Sequence, residues 1–213
     1  MKLRSLVSAA ALLTAITISS SASATLFITS GTFGGGNQGQ VLFDTASSGT
    51  TIFGDLNAGP QNAVRFTSST DTLNADASGQ AVITASNGTV NQLTISAVSP
   101  LTGFEAITFN VNNLGQNTTQ PFTISAVDQG GETFTANFTA GPGQNFVQVL
   151  SDPAQFIVSV SLTSALGVGD VRQVRVETTT TPVPGPIAGA GLPALMALGG
   201  FVWARRRKAA ATA

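Results

Sequence analysis

Phe156-Ile157-Val158-Ser159-Val160-Ser161-Leu162 decides the fold class. Successive side chains of an extended strand point to opposite faces. As a strand, this stretch places Phe156, Val158, Val160 and Leu162 on one apolar face, opposite Ile157, Ser159 and Ser161. The same period of two recurs upstream. In Ala106–Val111, Ile107, Phe109 and Val111 alternate with Thr108 and Asn110, and Phe134, Ala136 and Phe138 alternate with Thr135 and Asn137. One buried face and one wet face are the mark of antiparallel strands in a two-sheet sandwich.

Outward from these three, further short runs rich in Val, Ile, Phe and Thr lie at 40–44, 50–53, 63–67, 80–85, 92–98, 121–127, 145–150 and 171–176, divided by Gly, Asn and Asp. No window between residues 25 and 177 sustains a helical period. The pattern predicts an all-β chain: an antiparallel β-sandwich or jelly-roll ectodomain over 25–177, with helices only at the two ends. The many Thr and Ser residues fit outward-facing strand positions, where β-branching is favoured.

Composition excludes whole classes of chemistry. The chain of 213 residues has no His and no Cys, and its only lysines, Lys2 and Lys208, are near the termini. Ser-His-Asp and Cys-His nucleophiles, the usual zinc sites and disulfides are therefore absent. Charged residues make up 9%, against roughly 25% in ordinary soluble domains. Between Thr25 and Pro182, Arg65, Arg172 and Arg175 face ten acids, a net charge of −7. That sign argues against nucleic acid and anionic membrane surfaces as partners.

The ends read as addresses. Lys2 and Arg4 precede an apolar run of 13 residues from Leu6 to Ile18, and Ala22-Ser23-Ala24 has the A-x-A form read by signal peptidase. Residues 1–24 are thus expected to form a signal helix cleaved before Thr25. At the other end, residues 178–186 form a Thr- and Pro-rich linker that breaks helix. Ile187–Ala204 follows as an uncharged span of 18 residues, about 27 Å as a helix, close to the thickness of a hydrocarbon core. Arg205, Arg206, Arg207 and Lys208 open the basic segment 205–213, which favours a cytoplasmic C-terminus.

Val183-Pro184-Gly185-Pro186-Ile187, then Gly189-Ala190-Gly191-Leu192-Pro193, Gly199-Gly200, Trp203 and the arginines, together resemble a PEP-CTERM sorting signal. Gly185 stands where that pattern usually has Glu. The resemblance implies processing at Val183–Pro186 by an exosortase, with membrane anchoring first and release to the cell surface or matrix afterwards. Val64–Thr67, Ser78–Ala81 and Phe109–Val111 also resemble β-sandwich ectodomains found ahead of such tails.

Three constellations imitate active sites. Asp44-Thr45-Ala46 resembles an aspartic-protease turn, but Ala46 replaces the glycine and Asp71-Thr72-Leu73 supplies no matching partner. Gly34–Gly39 has the spacing G-x-G-x-x-G but leads into a strand, whereas a dinucleotide fingerprint needs a helix there. Asp71, Asn74 and Asp76 form an oxygen-rich loop, a candidate calcium site without the EF-hand spacing. No cofactor is expected. The expected function is non-enzymatic: an exported structural or interaction protein of the envelope or exopolysaccharide matrix. The alternative is a carbohydrate-binding module, calcium-assisted or not, although 25–177 contains neither Trp nor Tyr as a sugar platform.

Overall fold

In the computed structural model, residues 25–31, 38–77, 79–98, 101–115, 118–153 and 155–179 are described. They contain fifteen strands. These are β1 (Leu26–Ser30), β2 (Gly39–Phe43), β3 (Ser47–Gly49), β4 (Thr51–Leu56), β5 (Val64–Thr67), β6 (Leu73–Ala75), β7 (Gly79–Gln80), β8 (Val82–Ala85), β9 (Val90–Ala97), β10 (Gly103–Asn112), β11 (Gln120–Asp128), β12 (Thr133–Ala140), β13 (Phe146–Ser151), β14 (Ile157–Val168) and β15 (Asp170–Thr179). The eleven runs read from the sequence correspond to β2, β4, β5 and β8–β15. The remaining four are β1, which has only five residues, and β3, β6 and β7, which have three or fewer and are too short to show a period.

All strand pairs are antiparallel. One layer runs β12-β11-β14-β9-β5-β4-β2, and the other β1-β13-β10-β15-β8-β6-β3. The layers join into a barrel-like sandwich. Val41 and Leu42 of β2 pair with β4, while Gly39 and Gln40 of the same strand pair with Val176 and Arg175 of β15. On the other side, Phe104 of β10 meets Ile157 of β14. The core between the layers is built from the inward member of each alternation. Phe134, Ala126, Val160, Ile95, Phe66 and Ile52 form one inward row across six strands. Phe43 packs against Phe66 at 5.6 Å between ring centroids, tilted by 56°.

The opening heptapeptide is corrected in one respect. Val127 pairs with Ser159 but Asp128 pairs with Ile157, so Val158 is an extra residue on β14. This bulge reverses the alternation below Ser159. Ile157 is fully buried, and Val158 is 40% exposed. A second bulge lies on β15, where Arg175 and Arg172 oppose Thr108 and Asn110, and Gln173 takes a positive φ of 55°. It lets Val171 and Val174, three apart, both face inward.

The described residues fall within one unit, 24–185, which carries its own core and so has the makings of an independently folding segment. The expected signal and membrane helices, with Ala22, Ala24, Val183–Pro186 and Arg205–Lys208, fall outside the described residues. Among the described residues no helix is long and apolar enough to cross a membrane.

Candidate functional site

The outward face of β12-β11-β14-β9-β5-β4 is the most regular chemical surface of the domain. Strand register aligns Thr135, Ser125, Ser161, Thr94, Thr67 and Thr51 in a single row, one hydroxyl from each of six strands. Neighbouring strands lie about 4.8 Å apart, so the row spans about 24 Å. A second row comprises Asn137, Thr123, Thr163 and Gln92. A third comprises Thr133, Val127, Ser159, Ser96, Arg65 and Phe53. Across these three rows, Arg65 is the only ionisable side chain. Phe53, 42% exposed, is the apolar landmark at the far end.

Hydrogen bonds across and along strands orient the polar groups. Thr123 Oγ1 donates to Asn137 Oδ1 at 2.8 Å, and Gln92 Nε2 donates to Thr94 Oγ1 at 2.8 Å. The Thr94 and Ser161 hydroxyls lie 2.8 Å apart, and those of Ser125 and Thr135 3.3 Å. Arg65 Nε donates to Ser96 Oγ at 3.2 Å. Each hydroxyl has one donor and two acceptor sites, so a single such bond leaves capacity for a ligand or water.

At one end of the face the amide row opens into a cleft of about 640 Å³, lined by residues that include Thr123, Asn137, Gln92, Thr163, Thr70, Phe122 and Phe138. The volume lies in the range of small-ligand sites. Phe122 and Phe138 stack at 5.6 Å with 21° between ring planes, and both also line a second cleft of about 440 Å³ beside Ser30 and Asn145. The polar outer side chains and the aromatic inner ones therefore come from consecutive residues of β11 and β12, pointing to opposite sides. A third, more open cleft of about 670 Å³ is bordered by Asn112, Asn113 and the Arg172–Asp170 ion pair.

The oxygen-rich loop has its own geometry. Asp71 is 3% exposed. Its Oδ2 accepts from the Asn91 and Gln92 backbone N–H groups at 2.8 and 2.9 Å and from Thr70 Oγ1 at 3.1 Å, while Oδ1 accepts from Asn91 Nδ2 at 2.9 Å. Burial pushes this carboxyl up, but the Asn91, Gln92 and Thr70 donors outweigh it and hold it below its ordinary value. Asn74 Oδ1 accepts from the Ser48 and Ser86 hydroxyls at 2.7 and 3.3 Å. Asp76 is exposed. Asp71 and Asn74 thus serve separate hydrogen-bond networks. Among the described residues, no group of three or more His, Cys, Asp or Glu is placed to hold a metal ion. Asp44 sits exposed after β2, and Gly39 begins that strand.

The hydroxyl rows escaped sequence reasoning because they depend on register between strands far apart in the chain. Their only trace is the Ser and Thr content of the alternating runs.

No protein-family model and no curated protein matches the chain. Among solved structures it is similar to an exo-β-agarase, with a TM-score of 0.37 and 12% identity over 62% of this chain, which spans 25% of that enzyme. It is also similar to a family 29 carbohydrate-binding module, with a TM-score of 0.34 and 18% identity over 62% of this chain and 86% of the module. A Streptomyces albus HEPD, solved with 2-hydroxyethylphosphonate and Fe(II), gives a TM-score of 0.29 and 18% identity over 65% of this chain and 25% of that one.

Proposed function

We propose that this chain is an exported, non-enzymatic protein of the cell envelope or exopolysaccharide matrix, and that its ectodomain holds polysaccharide on the hydroxyl and amide face. The row of six hydroxyls across six strands carries this reading. Sugar hydroxyls both donate and accept, and so do Ser, Thr, Asn and Gln side chains. A nearly uncharged face also avoids the desolvation cost of burying ions under a neutral polymer. Phe122 and Phe138 turn toward the core, leaving Phe53 to offer limited apolar contact, so affinity rests on many weak bonds spread over an extended ligand. Recognition is assigned to these hydroxyls and amides rather than to calcium at Asp71, Asn74 and Asp76, since the Asp71 carboxylate already accepts protein N–H and O–H donors.

The tail completes the proposal. Val183–Pro186, the apolar span and Arg205–Lys208 would anchor the exported chain, present it to an exosortase and end with its release; signal peptidase would act after Ala24. The binding assignment is tested on purified residues 25–181 with an array of matrix polysaccharides. Retention of a neutral polysaccharide is expected. Thr123→Ala with Asn137→Ala should weaken it about 2- to 10-fold per hydrogen bond lost. No retention of any polysaccharide by the folded domain would refute the assignment.

A further inference from the structure

The hydroxyl face ends at β12, an edge strand. Among the described residues β12 pairs with β11 alone; β1 packs close to it but forms no ladder with it, so the other side of its backbone makes no strand pairing. Edge strands of soluble proteins are normally blunted by brevity, proline, lysine or a bulge. β12 runs for eight residues as Thr133-Phe134-Thr135-Ala136-Asn137-Phe138-Thr139-Ala140, with no charge, no proline and an unbroken register against β11. The edge strands of the other layer are shorter, β1 with five residues and β3 with three.

The sequence of β12 is complementary to itself in one antiparallel register. Centred on Ala136, Phe134 of one copy opposes Phe138 of the other, Thr135 opposes Asn137, and Thr133 opposes Thr139. Odd shifts would set polar residues against apolar ones. A shift of two loses both Phe–Phe pairs, and a shift of four leaves one, Phe134 or Phe138 against its own copy, over a shorter overlap. The centred register reproduces, between copies, chemistry already present within the chain, where Phe122 stacks on Phe138 and Thr123 bonds to Asn137.

We propose that two copies of this chain associate through β12, edge to edge about a two-fold axis at Ala136. The outward face then becomes continuous across both copies. Thr135 meets Asn137 of the second copy, and the row starting at Thr51 runs on through Thr123, Thr163 and Gln92 of that copy. A polymer laid across the junction engages two faces at once. This extension of the binding surface rests on the polysaccharide reading; the pairing itself does not.

Sedimentation of residues 25–181 without glycan tests the pairing. The wild type should move from monomer to dimer as its concentration rises. Thr133→Glu with Thr139→Glu places like charges opposite one another in the pair and should give a monomer; Thr133→Lys with Thr139→Lys should do the same. Mixing the two variants should restore a dimer of one acidic and one basic copy, which also shows that both variants are folded. A wild type that stays monomeric, or a dimer that persists in both variants, would overturn the proposal. Retention on long polysaccharide should fall about tenfold or more in either variant alone and recover on mixing. A dimer that retains no polysaccharide removes the binding assignment but leaves the pairing; polysaccharide retention by a strict monomer does the reverse.

Discussion

Asn91 grips Asp71 twice, through its backbone N–H at 2.8 Å and its side-chain Nδ2 at 2.9 Å. The pair ties the segment between β5 and β6 to the start of β9. Gln92 adds its own N–H to the same carboxylate and turns its amide onto the Thr94 hydroxyl. Its Oε1 accepts from the Ser69 N–H at 2.7 Å. One buried acid thereby positions a residue of the polar face.

Asp71→Asn should destabilise the domain by about 1–3 kcal/mol, because an amide group replaces an acceptor and leaves buried N–H groups unsatisfied. The pH dependence has a definite sign. The folded carboxyl titrates below its ordinary value, so its stabilising contribution is complete above about pH 3.9 and lost as pH falls through the folded value. Thermal melts of wild type and variant should converge on acidification. A gap that stays constant down to pH 2 would contradict this.

The bulge on β14 predicts unequal neighbours. Ile157→Thr should cost about 2–4 kcal/mol, since it empties part of the core and buries a hydroxyl. Val158→Thr should stay within about 0.5 kcal/mol. Urea unfolding of both variants decides it, and equal costs would remove the bulge.

Gly167, at the end of β14, has φ +72°, and a Cβ there would lie 2.6 Å from Thr89 Cβ and 3.1 Å from Asn91 Oδ1. Gly167→Ala combines backbone strain with a clash against the strand start that holds Asp71. A loss of about 1–3 kcal/mol is expected, read as a lower melting temperature. An unchanged melt would show that Thr89 yields freely.

Salt should hardly matter to glycan retention. With Arg65 the only charge in the three rows and Asp55 the only other on β4, retention of a neutral polysaccharide should be similar at about 0.05 and 0.5 M salt, where the screening of exposed charges changes strongly. A steep decline would locate the site elsewhere, with the Arg172–Asp170 cleft the first to test.

Sorting is read by mass. Protein from cells with an exosortase should begin at Thr25 and end near Val183–Pro186, and in exosortase-deleted cells it should keep its tail. Pro184→Ala with Pro186→Ala should leave anchoring intact and stop the cut. Full-length, membrane-bound protein in both backgrounds would reduce the tail to an anchor.

Strand identity was legible because each long strand carries its own period. β9, β11 and β14 announce themselves through Leu93 and Ile95, Ile124 and Ala126, Val160 and Leu162. The Val158 bulge was not legible, since alternation through Phe156, Val158 and Val160 is chemically sound and only the partner strand exposes the extra residue. Asp71 shows a similar divide. Its oxygen-rich neighbourhood was visible, but the donors that satisfy it sit twenty residues on, at Asn91 and Gln92. Register is a property of pairs, and a single strand does not contain it.

The pairing of β2 with β15 brings together opposite ends of the domain. A chain that emerges N-terminus first holds β2, β8 and one flank of β10 without their neighbour until its last ectodomain residues arrive. Ending the chain before Val171 would therefore leave open sheet margins rather than a smaller domain. β15 stops at Thr179, just ahead of Val183-Pro184-Gly185-Pro186. If that segment is the proposed sorting signal, any polypeptide that displays it has already synthesised β15, so the order of the sequence alone keeps unclosed domains from carrying it.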